Sequence, residues 1–125
     1  MTRAGYVSIN STWRPTFDVP ILNEPLALCD GNIVDESSLI ECLHVDHNGG
    51  DTYNLYTIYE PNMRWYYLSH QMKHELLIFK HFDSADVPAR FVPYAPLRHG
   101  SILMGCRARE TAETLVYVSL LVSLA

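Results

Sequence analysis

Charge is scarce in this chain: charged residues make up 18% of its 125 positions, and the formal charge is −5. No run of Lys or Arg occurs, which argues against nucleic acid as a partner. Disorder is excluded by a hydrophobic content of 48%. Long apolar runs are missing too. The longest, residues 115–125, is interrupted by Ser119 and Ser123 and is too short to cross a bilayer as a helix. The opening residues Met1-Thr2-Arg3-Ala4-Gly5 carry no apolar core, so no secretion signal is expected and the cytoplasm is the expected compartment. Cysteine is sparse. Cys29, Cys42 and Cys106 form no CxxC pair and suggest no disulfide framework; each is expected to be a small buried apolar side chain. No nucleotide-binding loop, G-x-G-x-x-G or Ser-His-Asp grouping is found along the sequence.

Aromatic residues and proline are well represented. Eight Tyr, four Phe and two Trp favour strands, and seven Pro work against long helices. Strands are expected at Tyr6–Asn10, Leu26–Cys29, Thr52–Tyr59, Arg64–Leu68, Leu77–Phe82, Ala89–Tyr94 and Glu113–Leu121. Residues 12–25 carry Pro15, Pro20 and Pro25 and are expected to form an irregular, ordered crossover. Asp35 is placed to cap a single helical turn, and a second short turn is expected near Met72. The strand after Asn48-Gly49-Gly50-Asp51 is partly apolar on both faces, which suggests the inside of a sandwich. Short strands separated by Pro/Gly turns indicate one mainly β domain over residues 1–125, with antiparallel strands and one or two helical turns. The strands are fewer than the eight or so of a full double-sheet jelly roll.

Several polar residues are candidates for chemistry. His44-Val45-Asp46, His99 and Arg109 occur in the order His-x-Asp, distal His, Arg, which suits Fe(II) and a carboxylate cosubstrate; the bland alternative is a set of solvated loops. His70 and His74 would share one helical face, but the Glu of a zinc motif is missing between them. Arg64, Lys80, Asp83 and Arg90 read either as a polar network facing a ligand cavity or as solvent-facing charges. Trp13, Trp65, Tyr66 and Tyr67 are expected in the core, or otherwise as walls of an apolar pocket.

Three blocks reach beyond fold class. Ile9-Asn10-Ser11-Thr12-Trp13-Arg14-Pro15 is followed by Glu24-Pro25-Leu26-Ala27-Leu28-Cys29-Asp30. Tyr59-Glu60-Pro61-Asn62-Met63-Arg64-Trp65-Tyr66-Tyr67 leads to Glu75-Leu76-Leu77-Ile78-Phe79-Lys80 and Asp83-Ser84. Ala89-Arg90-Phe91-Val92-Pro93-Tyr94 precedes Arg109-Glu110-Thr111-Ala112-Glu113. Together they resemble the fungal hydroxylase/desaturase family of secondary metabolism, which includes gibberellin desaturase-like and cephem methoxylase-like proteins. That family is related to non-haem iron oxygenases using 2-oxoglutarate, and the resemblance covers its C-terminal part.

The resemblance implies a partial double-stranded β-helix, or jelly roll. It also implies an oxidoreductase that hydroxylates or desaturates a small organic metabolite, with Fe(II) and 2-oxoglutarate as cofactors in intact relatives. Arg109 falls where the family has its R-E-S arginine and is the expected partner of the 2-oxoglutarate carboxylate. Arg14, Lys80, Arg90 and Tyr94 would shape the substrate pocket. Two departures matter. The family's His-x-Asp lies upstream of W-R-P, whereas the twelve residues before Trp13 contain neither His nor Asp. Tyr94 stands where the family presents its distal His, and a phenol is a poor ligand for Fe(II). No tight iron binding by this chain alone is therefore expected. The contrasting reading is a non-catalytic remnant that binds a small molecule or pairs with another subunit, including a homo-oligomer. An uncovered sheet face would then expose Tyr56, Ile58 or Phe79.

Overall fold

The computed structural model describes residues 4–98 and 105–122. Among these, eight strands occur: β1 (Ala4–Pro15), β2 (Leu26–Cys29), β3 (Leu39–His44), β4 (Thr52–Thr57), β5 (Trp65–Tyr67), β6 (Leu77–Asp83), β7 (Tyr94–Pro96) and β8 (Thr111–Val122). Every pairing is antiparallel. One sheet has the order β6-β1-β8, a second β5-β2-β7, and β3 pairs with β4 alone. Two 3₁₀ turns, Gly31–Ile33 and Glu36–Ser38, are the helical elements described. The side chains of Asp30 and Asp35 cap them by accepting from the Asn32 and Ser37 amides; this is the Asx chemistry expected at Asp35.

β1 is the spine of the molecule. It pairs with β8 in unbroken register from Ala4↔Val122 to Pro15↔Thr111. On its other side it pairs with β6, from Ser8↔Asp83 to Trp13↔Leu77. Ser11, Trp13 and Pro15 alternate into the buried face. Trp13 packs with Phe17, Ile21, Leu26 and Phe79, and Leu28, Leu77 and Val92 lie against this cluster. The core is thus the contact between the β1–β6 pair, the segment after β1 and β2 of the second sheet. The Val92 amide donates to the Lys80 carbonyl at 2.9 Å, and the Cys29 amide to the Pro93 carbonyl at 2.8 Å. Gly31 marks the tightest approach, since a Cβ there would sit 2.6 Å from the Phe91 carbonyl oxygen.

The structure changes several expectations. Seven strands were expected and eight are found among the described residues, because β3 is an additional strand; β1 also runs on to Pro15. Proline is tolerated at position 15 because it ends the strand. The strand expected at Ala89–Tyr94 lies instead at Tyr94–Pro96, with Ala89 at φ 55°, outside strand geometry. Residues 52–56 of β4 are exposed rather than inside a sandwich. Trp13 is core, whereas Trp65, Tyr66 and Tyr67 are exposed. Cys29 is buried, but Cys42 and Cys106 are only half-buried. Tyr56 and Ile58 are exposed as an uncovered face requires, while Phe79 is buried.

Candidate functional site

The sequence candidates separate into three places. Arg109 is half-buried. Its Nη1 donates to the Glu24 carbonyl at 2.6 Å, and its guanidinium lies 5.5 Å from the centre of the Trp13 ring. It lines a cleft of about 80 Å³ with Phe17, Ile21, Asn23 and Arg107. The Arg107 guanidinium sits over the Phe17 ring at 4.9 Å and bonds the Glu110 carboxylate. Such a cleft is well below the roughly 300 Å³ at which pockets for whole ligands begin, so only one end of a dicarboxylate would enter it.

Lys80 and Arg90 converge on Asp83 and not on the cleft. Lys80 Nζ bonds Asp83 Oδ2 at 2.6 Å, Tyr6 Oη donates to the same oxygen at 3.2 Å, and the Ala85 amide donates to Oδ1 at 2.9 Å. Arg90 Nε donates to the Asp83 carbonyl at 3.2 Å. The Lys80 bond first, then the Ala85 amide, hold the Asp83 carboxyl below its ordinary range. Arg64 is apart, paired with Asp30 at 3.2 Å. Arg14 is exposed and reaches the Lys73 carbonyl at 3.4 Å.

The third place was not legible beforehand. β6 carries a bulge: Ile9 pairs with Phe82 and Asn10 with Lys80, leaving His81 as the extra residue. His81 Nε2 lies 2.7 Å from Ser11 Oγ, and the Ser11 hydroxyl also donates to Glu113. The same His81 nitrogen is 3.6 Å from the Glu113 carboxylate. Tyr94, on β7 of the other sheet, packs on Phe79 with ring centres 4.9 Å apart and meets the His81 ring edge-on at 5.3 Å. Burial raises the Tyr94 pKa, and the neighbouring Glu113 charge and Tyr56 add to this. Side chains from two sheets therefore meet at Tyr94. Their sequence separations, 70 between Ser11 and His81 and 102 between Ser11 and Glu113, leave no local motif to find.

The in-chain triad is not assembled by the described residues. His44 and Asp46 are both exposed, and the Asp46 carboxylate accepts the Asn48 amide within its own turn. His99 lies outside the described residues. His70 and His74 are not on a helix: His70 has φ 56° and its Nδ1 is 2.7 Å from Ser69 Oγ. Among the described residues, no three His, Cys, Asp or Glu side chains are placed to hold a metal ion. These residues by themselves therefore do not supply a facial triad. The Arg109 guanidinium has further donors besides the Nη1 that bonds the Glu24 carbonyl.

The mainly antiparallel β architecture, with 3₁₀ turns as its helical elements among the described residues, is that of a partial jelly roll. Residues 2–118 match the family model described as oxidoreductase/YMDC permease-like domain, and the chain belongs to that family. Among curated proteins it is 29% identical over 104 residues to the Fe(II)/2-oxoglutarate-dependent dioxygenase nvfI of Aspergillus novofumigatus (strain IBT 16806), covering 82% of this chain and 37% of that protein. It is 33% identical over 98 residues to hydroxylase/desaturase CTB9 of Cercospora beticola, covering 70% and 30% respectively. The solved W199F variant of the iron and alpha-ketoglutarate-dependent endoperoxidase NvfI superposes with TM-score 0.77 at 26% identity, over 93% of this chain and 42% of that one. The unsubstituted NvfI superposes with TM-score 0.79 at 24% identity. The chain thus spans 37% and 30% of the length of these two curated relatives. No helix among the described residues is long and apolar enough to cross a membrane.

Proposed function

We propose that this chain acts as a single domain, the C-terminal part of a cytoplasmic Fe(II)/2-oxoglutarate-type hydroxylase or desaturase working on a small organic metabolite. The observation that carries the reading is Arg109, anchored to the Glu24 carbonyl, lying over Trp13 and lining a cleft. A guanidinium fixed at one edge is prepared to receive a carboxylate with its remaining donors. Arg109 would hold one end of 2-oxoglutarate; with iron, that cosubstrate supplies the oxidant of this enzyme class. Tyr94 faces the substrate. Lys80 and Arg90 act through Asp83, by fixing the end of β6 that carries His81. Arg14 ties β1 to the Lys73 carbonyl.

Calorimetric titration with 2-oxoglutarate tests this. The wild-type chain is expected to bind saturably, and Arg109→Ala to weaken binding by about 1.5–3 kcal/mol, the usual loss for a hydrogen-bonded charged group. Equal binding by both, or none by the wild type at millimolar 2-oxoglutarate, would sink the reading.

A second reading, a homo-oligomer, is favoured by β8. This twelve-residue strand lies at a sheet edge, and residues 111–120 are all exposed. Glu113 is the sole formal charge in the strand. Long apolar edges of this kind template strand pairing. Sedimentation should show a dimer that Val116→Lys dissociates; a wild-type monomer at high concentration rejects it.

A further inference from the structure

The Ser11 hydroxyl is fully buried, has one proton and has two neighbours. An ionised carboxylate only accepts, so that proton goes to Glu113, and Ser11 can then only accept from His81. His81 must therefore carry its hydrogen on Nε2, which leaves Nδ1 as the open ring nitrogen. Three hydrogen-bonding groups at this corner then have no partner among the described residues: His81 Nδ1, the second Glu113 oxygen and the Tyr94 hydroxyl. With the imidazole neutral, the first two accept, and the third donates. The His81 and Glu113 side chains remain 25% and 36% accessible, enough for a ligand to reach them. The Phe79 and Tyr94 rings supply an apolar wall beside them.

We propose that this corner binds the alcohol group of a small, neutral, largely apolar organic molecule. An alcohol donates one hydrogen bond, to Glu113 or His81, and accepts one from Tyr94. A ketone could use only Tyr94. A carboxylate would meet the Glu113 charge at close range, whereas Arg109 is the place for an anion. The two sites flank Trp13, since Glu113 is the register partner of Trp13 and Arg109 lies over its ring. The inference rests on the reading of the chain as part of a small-molecule enzyme, and it names the substrate chemistry.

The test is an NMR titration of the whole chain with cyclohexanol, following the His81 ring signal, which His81→Gln identifies. The expected result is a saturable shift that Tyr94→Phe and Glu113→Gln each weaken about three- to tenfold, the usual range for one net hydrogen bond. Tyr117→Phe, on an exposed ring of β8, is expected to change nothing, and unchanged amide spectra establish that each variant is folded. Cyclohexanecarboxylate should leave the His81 signal unmoved. The proposal is overturned if the carboxylate shifts that signal as cyclohexanol does, if the two variants bind cyclohexanol as tightly as wild type, or if no saturable shift occurs. Binding of 2-oxoglutarate through Arg109 is measured separately on the same sample, so either site can fail without the other.

Discussion

The β1–β6 pair and the β3–β4 hairpin are both antiparallel and rich in large apolar residues, yet they are built in opposite ways. Trp13 and Phe79 sit at 3% and 5% exposure, whereas Tyr53, Leu55 and Tyr56 on β4 all exceed 55%. Hydrophobicity is similar in the two regions and packing is not. The difference lies in what each strand meets: β1 meets a second sheet and the segment carrying Phe17 and Ile21, whereas β4 pairs with β3 alone. Stability in this chain is therefore expected to be concentrated around Trp13, while the hairpin offers surface.

The largest test of that contrast is Trp13→Ala. Loss of a buried aromatic should cost about 3–5 kcal/mol, and thermal melting should show a chain that is unfolded or close to it. Gly31→Ala comes next. Its new Cβ would meet the Phe91 carbonyl at 2.6 Å and the Ala89 Cβ at 2.9 Å, and overpacking of this kind should cost about 1–3 kcal/mol in chemical denaturation. Ser11→Ala leaves the His81 donor without its partner; a loss of about 1–2 kcal/mol is expected, and the His81 ring signal should move.

A pH series probes the end of β6. The folded Asp83 pKa is depressed, chiefly by its Lys80 bond. Its contribution is present above the unfolded value near 3.9 and is lost as pH falls through the folded value. The denaturation midpoint should drop more between pH 5 and pH 3 in wild type than in Asp83→Asn; equal slopes would remove Asp83 from the account. The smallest effect is expected from Leu55→Ala on the hairpin, within about 0.5 kcal/mol. A loss of 2 kcal/mol or more there would mean that the contrast between the two regions is wrong.

Fold class was legible because it rests on local signals: alternation along Leu77–Asp83, the β-branched run of β8, and Asp35 before its turn. The β7 position was not legible, because the segment from Ala89 is shaped by a tertiary bond from the Val92 amide to the Lys80 carbonyl, which no periodicity encodes. The burial of Phe79 and the exposure of Trp65 were equally hidden, since composition does not tell which strand acquires a second layer. At the site, the proposal for Arg109 starts from an R-E block visible in the sequence. Ser11, His81 and Glu113 could not, because each is unremarkable within its own strand and only the sheet register joins them.

The extra residue in β6 shifts a reading frame. Along β6 the fully buried positions are odd, Phe79 and Asp83, with His81 half-buried between them. On β1 the buried positions are odd from Pro15 back to Ser11, then even at Ser8. One inserted position thus lets a single row of β6 face two different phases of its neighbour. Deleting His81 would bring Phe82 into the inner row and turn Asp83 outward. The alcohol-binding corner and the Asp83 anchor would be lost together, although the two lie on different stretches of β1. A single-codon deletion there is therefore expected to be far more damaging than any substitution at position 81.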